Sequence, residues 1–502
     1  LNDPKAMKVS METVRTSTGA LCEAAICYTG DITDPSRTKY SLQYYTELAK
    51  TLVDMGAHIL AIKDMAGLCK PYAAHALVKA LRNEVEVPIH FHTHDTSGMS
   101  GASVLKAAEA GVDIVDVAMA SMSGMTSQPP LNSLVAALRG TPKDTGLDQD
   151  AVDDIDEYWA KVREMYYPFD AGLRAPAPDV YRHEMPGGQY TNLRQRAISM
   201  GLGDRWPEIC QAYASANELF GDIVKVTPSS KVVGDMAMFM VSNGLTKNDI
   251  VNPKSPLQFP ASVIEMMRGM LGRPPGGWPT KVRQVVLRSA GVKPIRGRPG
   301  ARLDPVDFSE TGEVLNGKIR RQATDEEVLS YLLYPEVFVD FADHVKRYGD
   351  TSVIPTPNFF YGLRPREEIM VEIERGKTLV IRYLTSGQPR EDGTRTVFFE
   401  LNGQPREIRV VDRSVEATEP VHPKADKRDP DHIGAPMPGK VGVVAVMNGQ
   451  EISAGEPLLW IEAMKMETAV CSPRDATVKN VLIESGSNVA AQDLLVVLAA
   501  AK

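Results

Sequence analysis

Short apolar runs alternate with stretches of helical periodicity along the first third of the chain. Residues 21–28 (LCEAAICY) read as a strand, and 39–55 (KYSLQYYTELAKTLVDM) then carry apolar residues at helical spacing up to Gly56. The cycle repeats with 58–63 as strand and 71–82 as helix, then 87–94 as strand and 103–110 as helix closed by Gly111. A fourth unit places a strand at 113–119 and a helix at 131–138. Buried apolar strands alternating with helices predict a parallel sheet, either doubly wound or closed as a (β/α)8 TIM-type barrel. Polar residues gather at the strand ends: Tyr28-Thr29-Gly30-Asp31, Lys63-Asp64, His92-Thr93-His94-Asp95 and Ser121-Met122-Ser123. Barrel enzymes place their chemistry at that face, and no Gly-x-Gly-x-x-Gly follows the first strand, so the barrel is favoured. Only four units are visible where a barrel has eight. The expectation is that this chain carries only the later half of the barrel, with about 120 residues preceding Leu1 in the intact protein.

Beyond residue 141 the pattern is mixed. Helical stretches are expected at 151–166 and 209–219, with loops such as Pro186-Gly187-Gly188-Gln189-Tyr190 between them. The Gly/Pro/Arg-dense block 272–305 reads as an irregular connector outside the core. From Glu367 alternation takes over, and Arg375-Gly376 and Asn402-Gly403 predict hairpin turns in a small α+β region. Residues 413–432 hold three prolines and nine charged residues but no Leu, Ile or Phe, which reads as a solvated linker ahead of a mobile end domain.

The last 70 residues repeat themselves at a shift of 37. Pro436 meets Pro473, Val441 meets Val478, Gly449 meets Gly486, and Leu458-Leu459 meets Leu495-Val496. Two similar halves predict a flattened all-β sandwich with pseudo-twofold symmetry. Ala476 stands where its repeat mate is Gly439. Glu462-Ala463-Met464-Lys465-Met466-Glu467 lies at the junction of the halves, so Lys465 is expected on an exposed turn.

Composition narrows the function. A 43% hydrophobic share is that of a folded chain, and a net charge of −8 provides no basic field for nucleic acid or an anionic membrane. Five scattered cysteines without a CxxC pair argue against disulfides or a cysteine zinc site, and for a reducing compartment. No run of about 18 apolar residues is present. His92 and His94, two apart on a predicted strand, point the same way and suit a divalent cation; the bland alternative is a hydrogen-bonded polar pair. Lys63 as an ammonium has donors only and cannot ligate; it is either carbamylated or a buried lysine paired with Asp64 or a substrate carboxylate. Thr227-Pro228-Ser229-Ser230 reads locally as a helix N-cap followed by proline.

Ala463-Met464-Lys465-Met466 resembles the attachment site of biotin carboxyl carrier domains; a lipoyl carrier is the nearer rival but usually has Asp-Lys-Ala at the turn. Residues 1–350 resemble the carboxyltransferase domain of the pyruvate carboxylase family. The motifs that carry this include Asp34-Pro35-Ser36-Arg37-Thr38-Lys39-Tyr40, Lys63-Asp64-Met65-Ala66-Gly67, His92-Thr93-His94-Asp95-Thr96-Ser97-Gly98, Pro186-Gly187-Gly188-Gln189-Tyr190-Thr191-Asn192 and Lys225-Val226-Thr227-Pro228-Ser229-Ser230-Lys231. The likeness continues through Val397-Phe398-Phe399-Glu400-Leu401-Asn402-Gly403 into the carrier.

That resemblance implies transfer of CO2 from carboxybiotin to pyruvate, forming oxaloacetate, in an anaplerotic and gluconeogenic ligase. It implies Lys63 (carbamylated), His92 and His94 as ligands of zinc or manganese. Thr227 becomes the proton shuttle, Ser230 and Lys231 belong to the biotin-pocket region, and Lys465 carries biotin. An aspartate ligand, an arginine clamp and a glutamine of the family fall upstream of this chain. The implied division is 1–140 second half of the barrel, 141–353 its helical and loop extension, 354–412 an allosteric and tetramer-forming region, 413–432 linker and 433–502 carrier. Implied partners are a biotin carboxylase domain or subunit using ATP, bicarbonate and magnesium, a biotin protein ligase and a homotetramer, in a bacterial cytoplasm or a mitochondrial matrix. Alternatives are an oxaloacetate decarboxylase α-type or transcarboxylase subunit, and a catalytically incomplete carrier and assembly fragment.

Overall fold

The computed structural model of the chain describes residues 3–390, 393–412, 422–426, 429–463 and 466–500. They form two compact units, Leu1–Arg302 with Lys424–Lys502, and Leu303–Pro423.

The first unit opens with β1 (Glu23–Cys27), β2 (Ile59–Asp64), β3 (Ile89–Thr93) and β4 (Ile114–Val115), all parallel and in sequential order. Helices Leu42–Asp54, Pro71–Arg82 and Ser100–Ala110 make the crossovers that parallel neighbours require. Sequential parallel strands with intervening helices are the wall of a barrel of this type. Ser41 caps the first crossover helix by accepting from Tyr44 N, so Lys39 and Tyr40 stay outside it. The fourth strand is only two residues long, not the seven expected. Asp116 N still donates to Phe91 O of β3, and the chain then leaves the ladder: Ala118 N donates to Pro129 O and Leu131 N to Ala118 O.

The helices Gly187–Ser199, Trp206–Leu219, Ser229–Ser242, Ala261–Arg268 and Thr280–Ser289 share a second core rich in methionine, including Met236, Met240, Met266 and Met267. Two expectations are corrected here. Pro186 to Tyr190 is no loop: Pro186 caps the helix that starts at Gly187. The block 272–305 is not all connector, because Val282, Val286 and Leu287 of the helix Thr280–Ser289 are buried in this core. In both places local Gly and Pro content outweighed the apolar spacing that packing rewards.

The second unit holds helices Phe308–Ile319, Asp325–Leu333 and Pro335–Tyr348 around Leu315, Ile319, Val328 and Phe338. It also holds an antiparallel meander of β5 (Glu368–Glu374), β6 (Lys377–Ser386), β7 (Thr394–Leu401) and β8 (Gln404–Val411). Both expected hairpin turns are present. Asn402 and Gly403 take φ of 50° and 76°, the left-handed pair that a two-residue hairpin requires.

The carrier region returns to the first unit. It comprises β9 (His432–Gly434), β10 (Gly439–Val444), β11 (Glu451–Ile452), β12 (Pro457–Ala463), β13 (Met466–Cys471), β14 (Ala476–Val481), β15 (Asn488–Val489) and β16 (Leu494–Ala500). The sheets run β13-β12-β10-β15 and β11-β14-β16-β9. A shift of 37 residues carries β10, β11 and β12 onto β14, β15 and β16 and exchanges the sheets, so the sequence repeat is the symmetry of the fold. Ala476 is buried at the start of β14 without a positive φ, as an ordinary strand residue.

Candidate functional site

Parallel register places Cys27, Lys63 and His92 in one row across β1, β2 and β3. His92 and His94 project together at the end of β3, with Nε2 atoms 3.2 Å apart. Each ring is oriented from behind. His92 Nδ1 lies 2.7 Å from Asp116 Oδ2, and His94 Nδ1 lies 2.7 Å from the Thr126 carbonyl. A carbonyl only accepts, so His94 Nδ1 carries the proton and Nε2 is left as a lone pair. Burial, with a smaller push from His92, lowers the His94 pKa, which keeps the ring neutral near pH 7. Burial opposes charge on Asp116, but hydrogen bonds from His92 and His90 win and hold it below the usual carboxylate range. Two imidazole nitrogens facing each other across 3.2 Å, with both far nitrogens tied to acceptors, fit one shared cation. Among the described residues no third His, Cys, Asp or Glu completes a ligand cluster.

Lys63 is half-buried, and among the described residues its ammonium has no ion-pair partner. The alternative pairing with Asp64 does not occur. Asp64 is fully buried and its carboxylate accepts from Leu68 N, Cys69 N and Thr93 Oγ1 at 2.8–2.9 Å. Glycines let the backbone close over His94. A Cβ on Gly67 would stand 2.2 Å from His94 O, and one on Gly187 would stand 2.9 Å from His94 Nδ1.

Thr227 is exposed, immediately before the helix Ser229–Ser242. It is not the side-chain cap: Pro228 is the N-cap residue, and Ser229 Oγ satisfies the turn by donating to Val224 O and accepting from Val226 N. Among the described residues the Thr227 hydroxyl has no hydrogen-bond partner. Ser230 is buried, and its carbonyl accepts from Tyr213 OH at 3.3 Å, whereas Lys231 is exposed. The segment before Thr227 is fastened by an ionic group in which only Lys225 is fully buried: Glu184 holds Arg37 Nη2 at 2.5 Å and Lys225 Nζ at 3.0 Å. Lys465 lies outside the described residues. The strands beside it, β12 and β13, pair as far as Ala463 with Met466. A cavity of 730 Å³ is lined by Met238, Phe239 and Phe259 on one side and Met437, Trp460 and Thr468 of the carrier on the other. His92, His94 and Thr227 do not line it.

Three family models match: "HMGL-like" over residues 3–158, "Conserved carboxylase domain" over 180–382 and "Biotin-requiring enzyme" over 431–498. The pyruvate carboxylase of Bacillus subtilis is 48% identical over 495 residues, covering 99% of this chain and 43% of that protein. The human mitochondrial pyruvate carboxylase is 48% identical over 482 residues, covering 95% of this chain and 41% of that protein. The chain therefore spans less than half the length of these curated relatives. Among solved structures, the carboxyl transferase domain of Rhizobium etli pyruvate carboxylase is 54% identical. The alignment covers 82% of this chain and 69% of that one, with a TM-score of 0.79. The chain belongs to the pyruvate carboxylase family. Its fold is accordingly the family's α/β carboxyltransferase barrel fold with a C-terminal β biotinyl domain. The same Rhizobium domain has been solved with pyruvate and biocytin, and with oxalate.

Within this family member, sequence reasoning missed Asp116, Glu184, Lys225 and Gly187 as parts of the site. Asp116 stood inside a predicted strand, and only the pairing of the two strands brings its carboxylate behind His92, 24 residues away along the chain. Glu184 and Lys225 gave none, since their partners lie 147 and 41 residues away along the chain. Among the described residues no helix is long and apolar enough to cross a membrane.

Proposed function

We propose that this chain performs the carboxyltransferase half-reaction of a biotin-dependent pyruvate carboxylase, moving CO2 from carboxybiotin to pyruvate to form oxaloacetate. The observation that carries the reading is the convergence of His92 and His94 Nε2, each ring fixed by an acceptor behind it. His92 and His94 would hold a divalent cation, zinc or manganese, together with Lys63, which ligates only as a carbamate. Bound there, the cation would act as a Lewis acid that stabilises negative charge on the pyruvate oxygen.

Thr227 moves the proton. The C–N bond of carboxybiotin breaks, CO2 is released, and the biotin nitrogen takes a proton from the Thr227 hydroxyl. The hydroxyl regains one from the pyruvate methyl group, and the enolate carbon attacks CO2. An uncommitted hydroxyl suits this task, since a capping hydrogen bond would compete with it. Ser230 and Lys231 would border the biotin ring, with the buried Ser230 positioned through its helix. Lys465 would carry the biotin, attached by a biotin protein ligase.

Loading would take place on a biotin carboxylase domain or subunit with ATP, bicarbonate and magnesium. Residues 1–140 and 141–353 would serve transfer, 354–412 homotetramer assembly and allosteric control, 413–432 the reach of the carrier, and 433–502 biotin itself. Such an enzyme would work in a bacterial cytoplasm or a mitochondrial matrix, without nucleic acid or membrane partners.

The test uses the complete enzyme. Thr227→Ala should suppress oxaloacetate formation severely while bicarbonate-dependent ATP cleavage without pyruvate stays near wild type. Thr227→Ser, which keeps the hydroxyl, should retain activity. Lys465→Arg should abolish streptavidin-detectable biotin. A fully active Thr227→Ala enzyme, or biotin retained in Lys465→Arg, would overturn the corresponding assignment.

A further inference from the structure

The segment Gly221 to Val226 belongs to no helix or strand. Backbone bonds hold its two ends, Asp222 N to Asn217 O and Ser230 N to Val226 O, and side chains set the course between them. Lys39 Nζ donates to Gly221 O at 2.7 Å and to Asp222 O at 2.8 Å, and Tyr40 OH donates to Asp222 O at 2.7 Å. Asn217 Oδ1 accepts from Ile223 N at 3.1 Å. Directly before Thr227, Val226 is held by Ser229 Oγ and Ser230 N of the following helix, and the next anchor, two residues upstream of Thr227, is Lys225. Its side chain is 2% exposed, and its ammonium meets Glu184 Oε2 at 3.0 Å.

Glu184 connects in the other direction to the histidine pair. It takes a φ of 53°, and three residues later Gly187 N donates to Met65 O at 2.9 Å and lies against His94 Nδ1. The Glu184 carboxylate thus stands three residues from the backbone that closes over His94 and one ion pair from the backbone that carries Thr227. Its other oxygen is held by Arg37, from the loop after β1.

We propose that the Glu184–Lys225 ion pair is a positioning joint that sets the spacing between the His92/His94 site and the Thr227 hydroxyl. This rests on the reading of Thr227 as the proton relay. A relay must reach two bound partners within hydrogen-bond distance, and a misplacement of about 1 Å costs about 100-fold in rate. Between its end points, where no backbone ladder holds the segment, such precision comes from directional side-chain contacts. A buried ion pair is a weak source of net stability, and apolar replacement of similar volume is often neutral, whereas fixing one geometry is where such pairs have a use.

The experiment compares Lys225→Met, Lys225→Arg, Glu184→Gln and Thr227→Ala in the complete biotinylated enzyme. Lys225→Met leaves Glu184 paired with Arg37, so its melting temperature and bound metal should stay near wild type. Its kcat for oxaloacetate formation should fall about 10- to 100-fold with KM for pyruvate little changed. Lys225→Arg restores the ion pair and should recover much of that loss. Glu184→Gln should show the same kcat loss, and it reads the joint if Lys225→Met does not fold. A folded Lys225→Met or Glu184→Gln with wild-type kcat, beside an inactive Thr227→Ala, would overturn the joint and spare the relay. A raised KM with unchanged kcat would also overturn it, by making Lys225 a substrate-binding group. An active Thr227→Ala would instead remove the relay reading itself, and the joint with it.

Discussion

The two halves of the proposed site are held by different means. His92 and His94 stand on and just beyond β3, a strand bonded on one side to β2 and on the other to β4. Thr227 stands at the end of a segment with no strand partner, fixed by Lys39, Tyr40, Asn217 and the Glu184–Lys225 pair. The histidines inherit their positions from backbone hydrogen bonds that most substitutions leave intact. Thr227 inherits its position from the start of the helix that follows it and from upstream side chains, any one of which a single substitution removes. Metal-site geometry should therefore fail only when a ligand or its immediate support changes, while the relay should be sensitive to distant charged residues.

The largest expected effect comes from the ligands. His92→Ala or His94→Ala in the complete enzyme should lower bound metal sharply and abolish oxaloacetate formation, as read by elemental analysis and a coupled assay. Normal metal stoichiometry in both single variants would break the comparison at its rigid end. Asp116→Asn comes next. It keeps the size of the side chain but removes the carboxylate that faces His92 Nδ1, and metal affinity in a chelator competition should fall about 10- to 100-fold. An unchanged affinity would mean that the strand alone orients His92.

How far the sequence alone reached follows the same division. Features written in periodicity were legible. The strand and helix units up to residue 110 lie within a few residues of their expected bounds, and the 37-residue repeat maps strand for strand onto the carrier. Lys63 and His92 could be brought together because both ended apolar runs, and register does place them side by side. Features that depend on tertiary partners were not legible. Gly187 looks like loop punctuation but is a point of close approach to His94. Thr227 looks like a cap, yet the neighbouring Ser229 makes the hydrogen bonds. Lys225, Glu184 and Arg37 are three ordinary charged residues until the fold brings them together.

Gly187 offers a smaller and sharper probe of the rigid end. In Gly187→Ala the new Cβ would stand 2.9 Å from His94 Nδ1 and 3.0 Å from the Thr126 carbonyl. It would press on the hydrogen bond that orients the ring. Overpacking of this kind costs about 1–3 kcal/mol. Thermal stability should drop, and metal affinity should weaken by less than in Asp116→Asn. Gly188→Ala is the control, because a Cβ there meets nothing within 4 Å. Equal losses in both variants would show that the helix start, and not the contact with His94, is what the substitution disturbs.

The smallest expected effect is a pH dependence at the side-chain-held end. His183 is 3% exposed, and its Nδ1 accepts from Met185 N at 3.0 Å, beside Glu184. Burial lowers its pKa to about 4, against the smaller opposing pull of Asp179 and Glu184. The folded-state value therefore lies below the ordinary histidine value of about 6.5. Between the two, the unfolded chain binds a proton that the folded chain refuses. The stability tied to His183 is complete above about pH 6.5 and is lost as pH falls toward 4, by at most about 2 kcal/mol at pH 5. His183→Asn keeps an acceptor for Met185 N–H and removes the titrating ring. Denaturant midpoints measured at pH 7.5 and pH 5 should lie closer together in the variant than in the wild type. Loss of oxaloacetate-forming activity on acidification should be delayed by the same substitution, because the residue next to His183 anchors the segment that bears Thr227. An identical acid dependence in both proteins would place the proton uptake elsewhere and leave the Glu184 region no softer than the strand that carries the histidines.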